Sequence, residues 1–212
     1  MKGFTLLEVS IVLLILGIVT GSFLGFFSFN KTFFYLRDKA KNFTNALNII
    51  SDMGQKIIEN PTGNYFCGYG IYFPSSTKYE VLAFSTSTKL CEELPNASTT
   101  MNDFINQNLS QKKYVLKDGS ISTSSPKEFS LNEDLIYNSQ IIFSTSSECR
   151  SSYTPPIVFL YIYSYSDLFF MYQGNGNNWD KINASYLYIC FQNGSERYKI
   201  KINKLGQVSI ER

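Results

Sequence analysis

Residues 4–29, FTLLEVSIVLLILGIVTGSFLGFFSF, form an almost unbroken apolar run that contains a single ionisable residue, Glu8. Crossing the hydrocarbon core of a bilayer takes roughly 20 such residues in a helix, so this stretch predicts a membrane-length helix. The pattern then turns amphipathic without a break. Phe26, Phe29, Phe33, Leu36, Ala40, Phe43, Leu47, Ile50, Gly54 and Ile57 recur at spacings of three and four, the period of one helical face. Lys31, Arg37, Asp38, Lys41, Asn45 and Lys56 fall between them and keep the opposite face wet. A regular stripe can be a coiled-coil seam, but its aromatic bulk and its Ala and Gly positions better suit a surface on which the chain's own sheet lies. Pro61 restrains the residue before it and Gly63 follows, which predicts a helix end at Asn60. Residues 4–60 would then form one rod on the order of 85 Å long at 1.5 Å per residue.

After Pro61 the helical period disappears and Tyr, Ser, Thr, Phe and Ile dominate, the composition of strands and turns. Residues 65–73 and 79–85 read as a strand pair joined through Pro74, Ser75 and Ser76. Residues 91–110 read as polar loop with a helical turn around 101–108. Residues 114–116, the Asp118-Gly119 turn and Ile121 predict a small hairpin, and 140–144 another strand. The apolar stretch 157–172 is interrupted at Ser164, Ser166 and Asp167; it lacks the continuous length of a second membrane helix and reads as two strands. At the C-terminus, 186–192, the Asn193-Gly194 turn, 198–203, the Lys204-Leu205-Gly206 turn and 208–211 predict a three-stranded meander, because Asn-Gly between alternating runs is a strong hairpin signal. The fold class is α+β: a long N-terminal helix packed on a C-terminal antiparallel β-sheet domain, divided as residues 1–3, 4–29, 30–60 and 61–212.

Glu8 is the informative exception in the apolar run. A central carboxylate costs very roughly 3 kcal/mol on insertion scales, against about 0.3–0.6 kcal/mol gained per Leu, Ile, Val or Phe. One Glu does not prevent insertion, but it calls for a partner. A cleaved secretory signal suits the Met1-Lys2 start, yet the run exceeds the usual apolar length of roughly 7–15 residues and no small-x-small site follows. An ordinary anchor explains the length and leaves Glu8 without a role.

Gly3-Phe4-Thr5-Leu6-Leu7-Glu8-Val9 followed by an apolar helix resembles the processing and assembly motif of type IV pilins and pseudopilins. The resemblance implies cleavage after Gly3 by a prepilin peptidase and methylation of the new amine on Phe4. It further implies assembly with homologous subunits through the helix, on an inner-membrane platform. In such a filament a buried carboxylate is costly unless paired, and the cation at similar depth is the Phe4 α-amine of a neighbour, so Glu8 and Phe4 are the expected assembly pair. Gly17, Gly21 and Gly25 recur at four-residue spacing; such a row admits close helix approach and weakens the helix by about 1 kcal/mol per Gly, and similar pilins lose helical order near this region in filaments. The text CGYGIYF…YEVLAF resembles H-type pseudopilins, and the ending YKIKINKLGQVSIER resembles the last strands of many minor pilins and pseudopilins.

The chain has 212 residues, 19 basic and 17 acidic, for a net charge of +2. Basic residues flank the apolar run on both sides, Lys2 before it and Lys31, Arg37, Lys39 and Lys41 after it. A count of positive charges alone would place the C-terminal part in the cytoplasm; the resemblance implies the opposite, a precursor in the inner membrane with its C-terminal domain outside, and then a pilus, periplasmic or cell-surface location. All four cysteines, Cys67, Cys91, Cys149 and Cys190, follow the apolar run, which suits disulfides in an oxidising compartment. Of three connectivities, Cys67–Cys91 and Cys149–Cys190 join sequence neighbours; four buried thiols are the alternative.

There is no histidine, which removes Ser-His-Asp and Cys-His hydrolysis and the HExxH zinc site. No P-loop or C-x-x-C pair exists, so neither an enzyme nor a cofactor is expected. Residues 174–180, GNGNNWD, lack the spaced carboxylates of a calcium loop and read as a flexible surface turn. Asn30, Asn42, Asn96, Asn108, Asn183 and Asn193 each begin an N-x-S/T triplet, frequent by chance in so Asn- and Ser-rich a chain, and receive no role. Lys199, Lys201 and Lys204 lie where they could meet nucleic-acid phosphates, but the near-neutral balance gives that partner no support and a solvated strand face accounts for them. The expected function is a structural filament subunit, a minor pilin ahead of a type II secretion pseudopilin. A membrane-anchored surface or DNA-binding module is the alternative of another class.

Overall fold

In the computed structural model, the residues described are 6–54, 58–59, 65–86, 98–116, 119–124, 139–150, 153–163, 165, 167–194 and 196–211. The architecture is α+β, as the periodicities predict. Helix α1 (Leu6–Gly54, 49 residues) runs about 74 Å at 1.5 Å per residue. Its start matches the apolar run, but its end does not match the expected stop at Asn60. Ile58–Glu59 form a short strand β1 that pairs antiparallel with Phe66 and Tyr65, so the helix is over before them. Pro61 set only an outer limit. At Gly54 the helix presses on a neighbouring strand: a Cβ there would lie 2.9 Å from the Cβ of Tyr161. Asn60 lies outside the described residues.

Two antiparallel sheets follow. Strands β2 (Tyr65–Ser75) and β3 (Lys78–Thr86) form the first hairpin. Strands β4 (Tyr114–Val115) and β5 (Ile121–Ser122) form the small one, with Gly119 at φ +81° in its turn. Strand β6 (Ser139–Ser144) precedes β7 (Ile157–Ile162), β8 (Leu168–Gln173) and β9 (Trp179–Lys181). The meander is β10 (Tyr186–Asn193), β11 (Glu196–Asn203) and β12 (Val208–Glu211). The larger sheet has the order β5-β4-β3-β2-β7-β8-β9, with β1 also on β2; the smaller is β12-β11-β10-β6. All six residues of β7 are buried, because the strand is covered on both faces; such strands read as continuous apolar runs, which is why 157–172 imitates a membrane segment. In β11, by contrast, Tyr198, Ile200 and Ile202 are buried while Lys199 and Lys201 are partly exposed, the alternation of a half-solvated sheet.

One stripe of α1 and the inner faces of both sheets share a single core. Leu36, Ala40, Phe43, Leu47 and Ile50 meet Tyr69, Ile71 and Phe73 of β2, Phe159 of β7, and Ile189, Phe191 and Ile200 of the meander. Phe43 is at the centre, with ring centroids of Phe73, Tyr79, Phe159 and Phe191 at 5.7, 5.6, 6.4 and 6.0 Å. The other face of the large sheet is covered by α2 (Ser98–Ser110), 13 residues rather than the single turn expected. Its Met101, Phe104 and Ile105 pack with Leu82, Phe84, Leu160, Met171 and Trp179. The periodic signal there is faint, since much of this helix is Asn, Ser and Thr.

Candidate functional site

Leu6–Leu24 is long and apolar enough to cross a membrane, with mean hydropathy 2.3 and nothing in the window buried. Three hydroxyls in this half are satisfied locally. Ser10 Oγ donates to the Leu7 carbonyl (2.9 Å), Thr20 Oγ1 to that of Leu16 (2.7 Å) and Ser22 Oγ to that of Ile18 (2.8 Å). Glu8 lies in the first turn of α1, where the positive end of the helix dipole favours a carboxylate. Gly17 and Gly21 are open: beyond the adjoining residues and the helix's own backbone, no atom lies within 4 Å of where a Cβ would stand, so another helix can come close there. Gly3 and Phe4 lie outside the described residues.

The second half of α1 fixes the direction in which this apolar half projects. Phe33 meets Tyr198 edge-on at 6.1 Å, Phe43 joins the two sheets, and Gly54 sits against Tyr161. The Tyr161 hydroxyl in turn lies so close to Gly206 that a Cβ there would be 1.3 Å away. Gly206 also has φ +74°, which an L side chain rarely adopts. The β11–β12 turn, β7 and the helix end are thereby held together, and the exposed half of α1 is the free end of one lever.

Cys149 and Cys190 form a disulfide that ties the loop after β6 to β10, with Cα atoms 6.0 Å apart. Cys67, fully buried in β2, is also disulfide-bonded; Cys91 lies outside the described residues. Among the described residues no group of His, Cys, Asp and Glu could hold a metal ion.

Residues 174–180 include the surface turn that their composition predicts, with Gly176, Asn177, Asn178 and Asp180 exposed, but Trp179 departs from it. Asn175–Asn177 make a 3-10 turn and Trp179, only 4% exposed, starts β9. The Trp179 backbone N–H donates to Asn102 Oδ1 and its indole N–H to Asn106 Oδ1 at 2.9 Å, both on α2. Asn108 of the same helix accepts from the Ser85 N–H (2.7 Å) and donates to the Ser85 carbonyl (3.0 Å). It thus holds an edge of β3 as a neighbouring strand would. Its triplet context marks nothing, and only the tertiary fold reveals this role.

Glu80, 5% exposed, is bracketed by Lys112 at 2.6 Å and Lys78 at 2.8 Å. Burial alone would raise its carboxyl; the lysine hydrogen bonds and charges outweigh burial and hold it below the usual carboxylate value. Lys201 lies over the Tyr186 ring at 4.5 Å and 3.9 Å from Glu211, so this strand face is engaged within the chain.

No curated protein and no solved structure gives a significant match to this chain. Residues 1–24, which hold Glu8 and most of the exposed apolar half of α1, match the prokaryotic N-terminal methylation motif, the prepilin-type signal of type IV pilins and pseudopilins.

Proposed function

We propose that this chain is a structural subunit of a type IV pilus-like filament, a minor pilin in the first instance. It is made as a single-pass inner-membrane precursor with its C-terminal domain outside, cleaved after Gly3 by prepilin peptidase and methylated on Phe4. The supporting observation is the methylation motif placed directly on a helix whose first half is exposed and apolar and whose second half is locked into the core. In the filament Glu8 pairs with the Phe4 amine of an adjacent subunit, which offsets the cost of burying a carboxylate and sets the axial register. Two disulfides, Cys67–Cys91 and Cys149–Cys190, suit the exported domain. Similarity of the β2–β3 text to H-type pseudopilins favours a type II secretion pseudopilin as the second reading. Glu8→Val separates assembly from anchoring: the variant inserts normally and fails to enter filaments. Normal incorporation of that variant would show that the pairing is not needed.

A further inference from the structure

Helix α1 is continuous from Leu6 to Gly54, so its apolar half and its docked half share one axis and depth follows from residue number. Counted from Glu8, whose carboxylate favours the cytoplasmic edge, the roughly 20 residues that cross the hydrocarbon end close to Phe29. Lipid headgroups occupy about the next 5–7 Å. At 1.5 Å per residue, Lys31, Phe34, Tyr35, Arg37, Lys39 and Lys41 follow Phe29 at about 3, 7.5, 9, 12, 15 and 18 Å.

Residues 30–41 hold four basic groups, Lys31, Arg37, Lys39 and Lys41, and one acid, Asp38. Lys31, Phe34, Arg37 and Lys41 are exposed and Tyr35 and Lys39 partly so, while Leu36 and Ala40 take the core side. Among the described residues none of Lys31, Arg37 and Lys41 forms an ion pair. The Cα–Cβ bonds of a helix tilt toward its N-terminus, here the membrane, and long cationic side chains reach along apolar surface to a polar boundary. Lys39 shows this direction. Its Nζ lies over the Tyr35 ring, 5.3 Å from the centroid, which brings the charge one turn nearer the bilayer, and Arg37 can reach the same zone. Phe34, 57% exposed, stands among these cations with its ring edge-on to Phe33 at 6.2 Å. A purely solvated face leaves that ring in water; at a headgroup boundary, where amphipathic rings such as Tyr35 collect, it is covered. With the domain outside, these cations also oppose the usual basic bias of cytoplasmic flanks, so insertion does not account for them.

We propose that this stretch of α1 binds the headgroups of anionic phospholipids in the leaflet that faces the domain. Lipid phosphates meet Lys31, Arg37 and Lys39, the rings of Phe34 and Tyr35 settle at the boundary with the acyl chains, and Lys41, about a Debye length further out, adds a weaker attraction. The anchored chain is thereby held at one depth, with the Phe33 end of its domain at the membrane surface. This rests on the membrane-spanning reading of α1 and not on filament assembly.

The test places the full-length chain, dilute and monomeric, in phosphatidylcholine bilayers that carry spin-labelled phosphatidylglycerol or spin-labelled phosphatidylcholine. The motionally restricted fraction of each label gives the relative association of the two lipids with the chain. At low salt phosphatidylglycerol should be favoured about fivefold or more, the factor that one cation near an anionic surface supplies, and the preference should shrink as salt rises. Lys31→Gln, Arg37→Gln and Lys39→Gln together should bring the ratio close to one without moving the unfolding midpoint. Lys204→Gln, on the turn at the Gly54 end of α1, about 37 Å beyond Phe29, should leave the ratio unchanged. Equal association of both lipids with the wild type, or a preference that survives the triple substitution, overturns the proposal. So does lipid indifference joined to self-association that the triple substitution abolishes, which assigns this face to an acidic surface of a second copy. Alkaline extraction of membranes from the expressing host separates the two readings. A chain that washes out overturns the anchor and the headgroup contact together, whereas a chain that stays and shows no lipid preference overturns the headgroup contact alone.

Discussion

Phe43→Ala tests whether the second half of α1 is the keystone of both sheets. The Phe43 side chain is fully buried, and the rings of Phe73, Tyr79, Phe159 and Phe191 surround it at centroid distances of 5.6–6.4 Å. Phe→Ala in a core costs about 3–5 kcal/mol, more where the site cannot collapse. Here the walls belong to three strands in two hydrogen-bonded sheets, β2, β7 and β10, and to β3, so the upper part of that range, about 4–5 kcal/mol, is expected. Native stabilities run at only about 5–15 kcal/mol. The assay is guanidinium unfolding of the full-length chain in mild detergent, followed by the fluorescence of Trp179, the single tryptophan. Trp179 belongs to the second cluster, under α2, and so reports whether loss at Phe43 is transmitted across the large sheet. The midpoint should fall by about 1 M or more, given slopes of a few kcal/mol per molar in guanidinium. Phe34→Ala is the internal control: Phe34, earlier on the same helix, is 57% exposed and should change stability by no more than about 0.5 kcal/mol. Equal effects of the two substitutions, or a Phe43→Ala loss below about 1.5 kcal/mol, would refute the keystone argument.

Three further outcomes follow from the geometry. Lys112→Met strips Glu80 of its nearer cation and should cost about 1.5–3 kcal/mol at neutral pH, toward the lower end because Lys78 remains. The folded-state carboxyl sits below its ordinary value, so the pair's contribution is complete above the unfolded value and is lost as pH falls through the lower folded one. The gap between wild type and variant should therefore close on acidification; a gap independent of pH contradicts the assignment. Asn108→Leu leaves the Ser85 N–H and carbonyl without their side-chain partner and should cost about 2–3 kcal/mol, a thermal midpoint roughly 5–10 °C lower; an unchanged midpoint would show that water replaces the amide at no cost. Replacing Cys149 and Cys190 together by Ala opens a link of sequence separation 41 and should cost about 4 kcal/mol by chain entropy, measured by denaturant unfolding, whereas a loss under about 1 kcal/mol would mean the loop after β6 is held by other contacts.

Much of this architecture is legible in the sequence because its signals are local. The three-and-four spacing from Phe33 to Gly54 needs no partner to be recognised, and Asn193-Gly194 between alternating runs is read from a few residues. What escapes depends on contacts far apart in the chain. The end of α1 is decided by Tyr161, pressed against Gly54, and by Ile58 and Glu59 pairing with β2, not by Pro61. Trp179 looks like part of a polar surface turn until Asn102 and Asn106, more than seventy residues earlier, take up its two N–H groups. The division into two sheets is invisible in strand patterns alone, since β7 and β10 both read as apolar runs and only their ladders assign them to different sheets. For the candidate site, Glu8 and the apolar helix are plain in the sequence because their meaning lies in composition. The lever that carries them is a property of the packed core, which the stripe implies and the Phe33–Tyr198 and Phe43 contacts complete.

The most direct test of the filament reading is intact-mass and N-terminal analysis of the protein exported from its native host. The account predicts a chain that begins at Phe4 with one methyl group on its α-amine. A chain that retains Met1-Lys2-Gly3, or one cut after the apolar run, contradicts it.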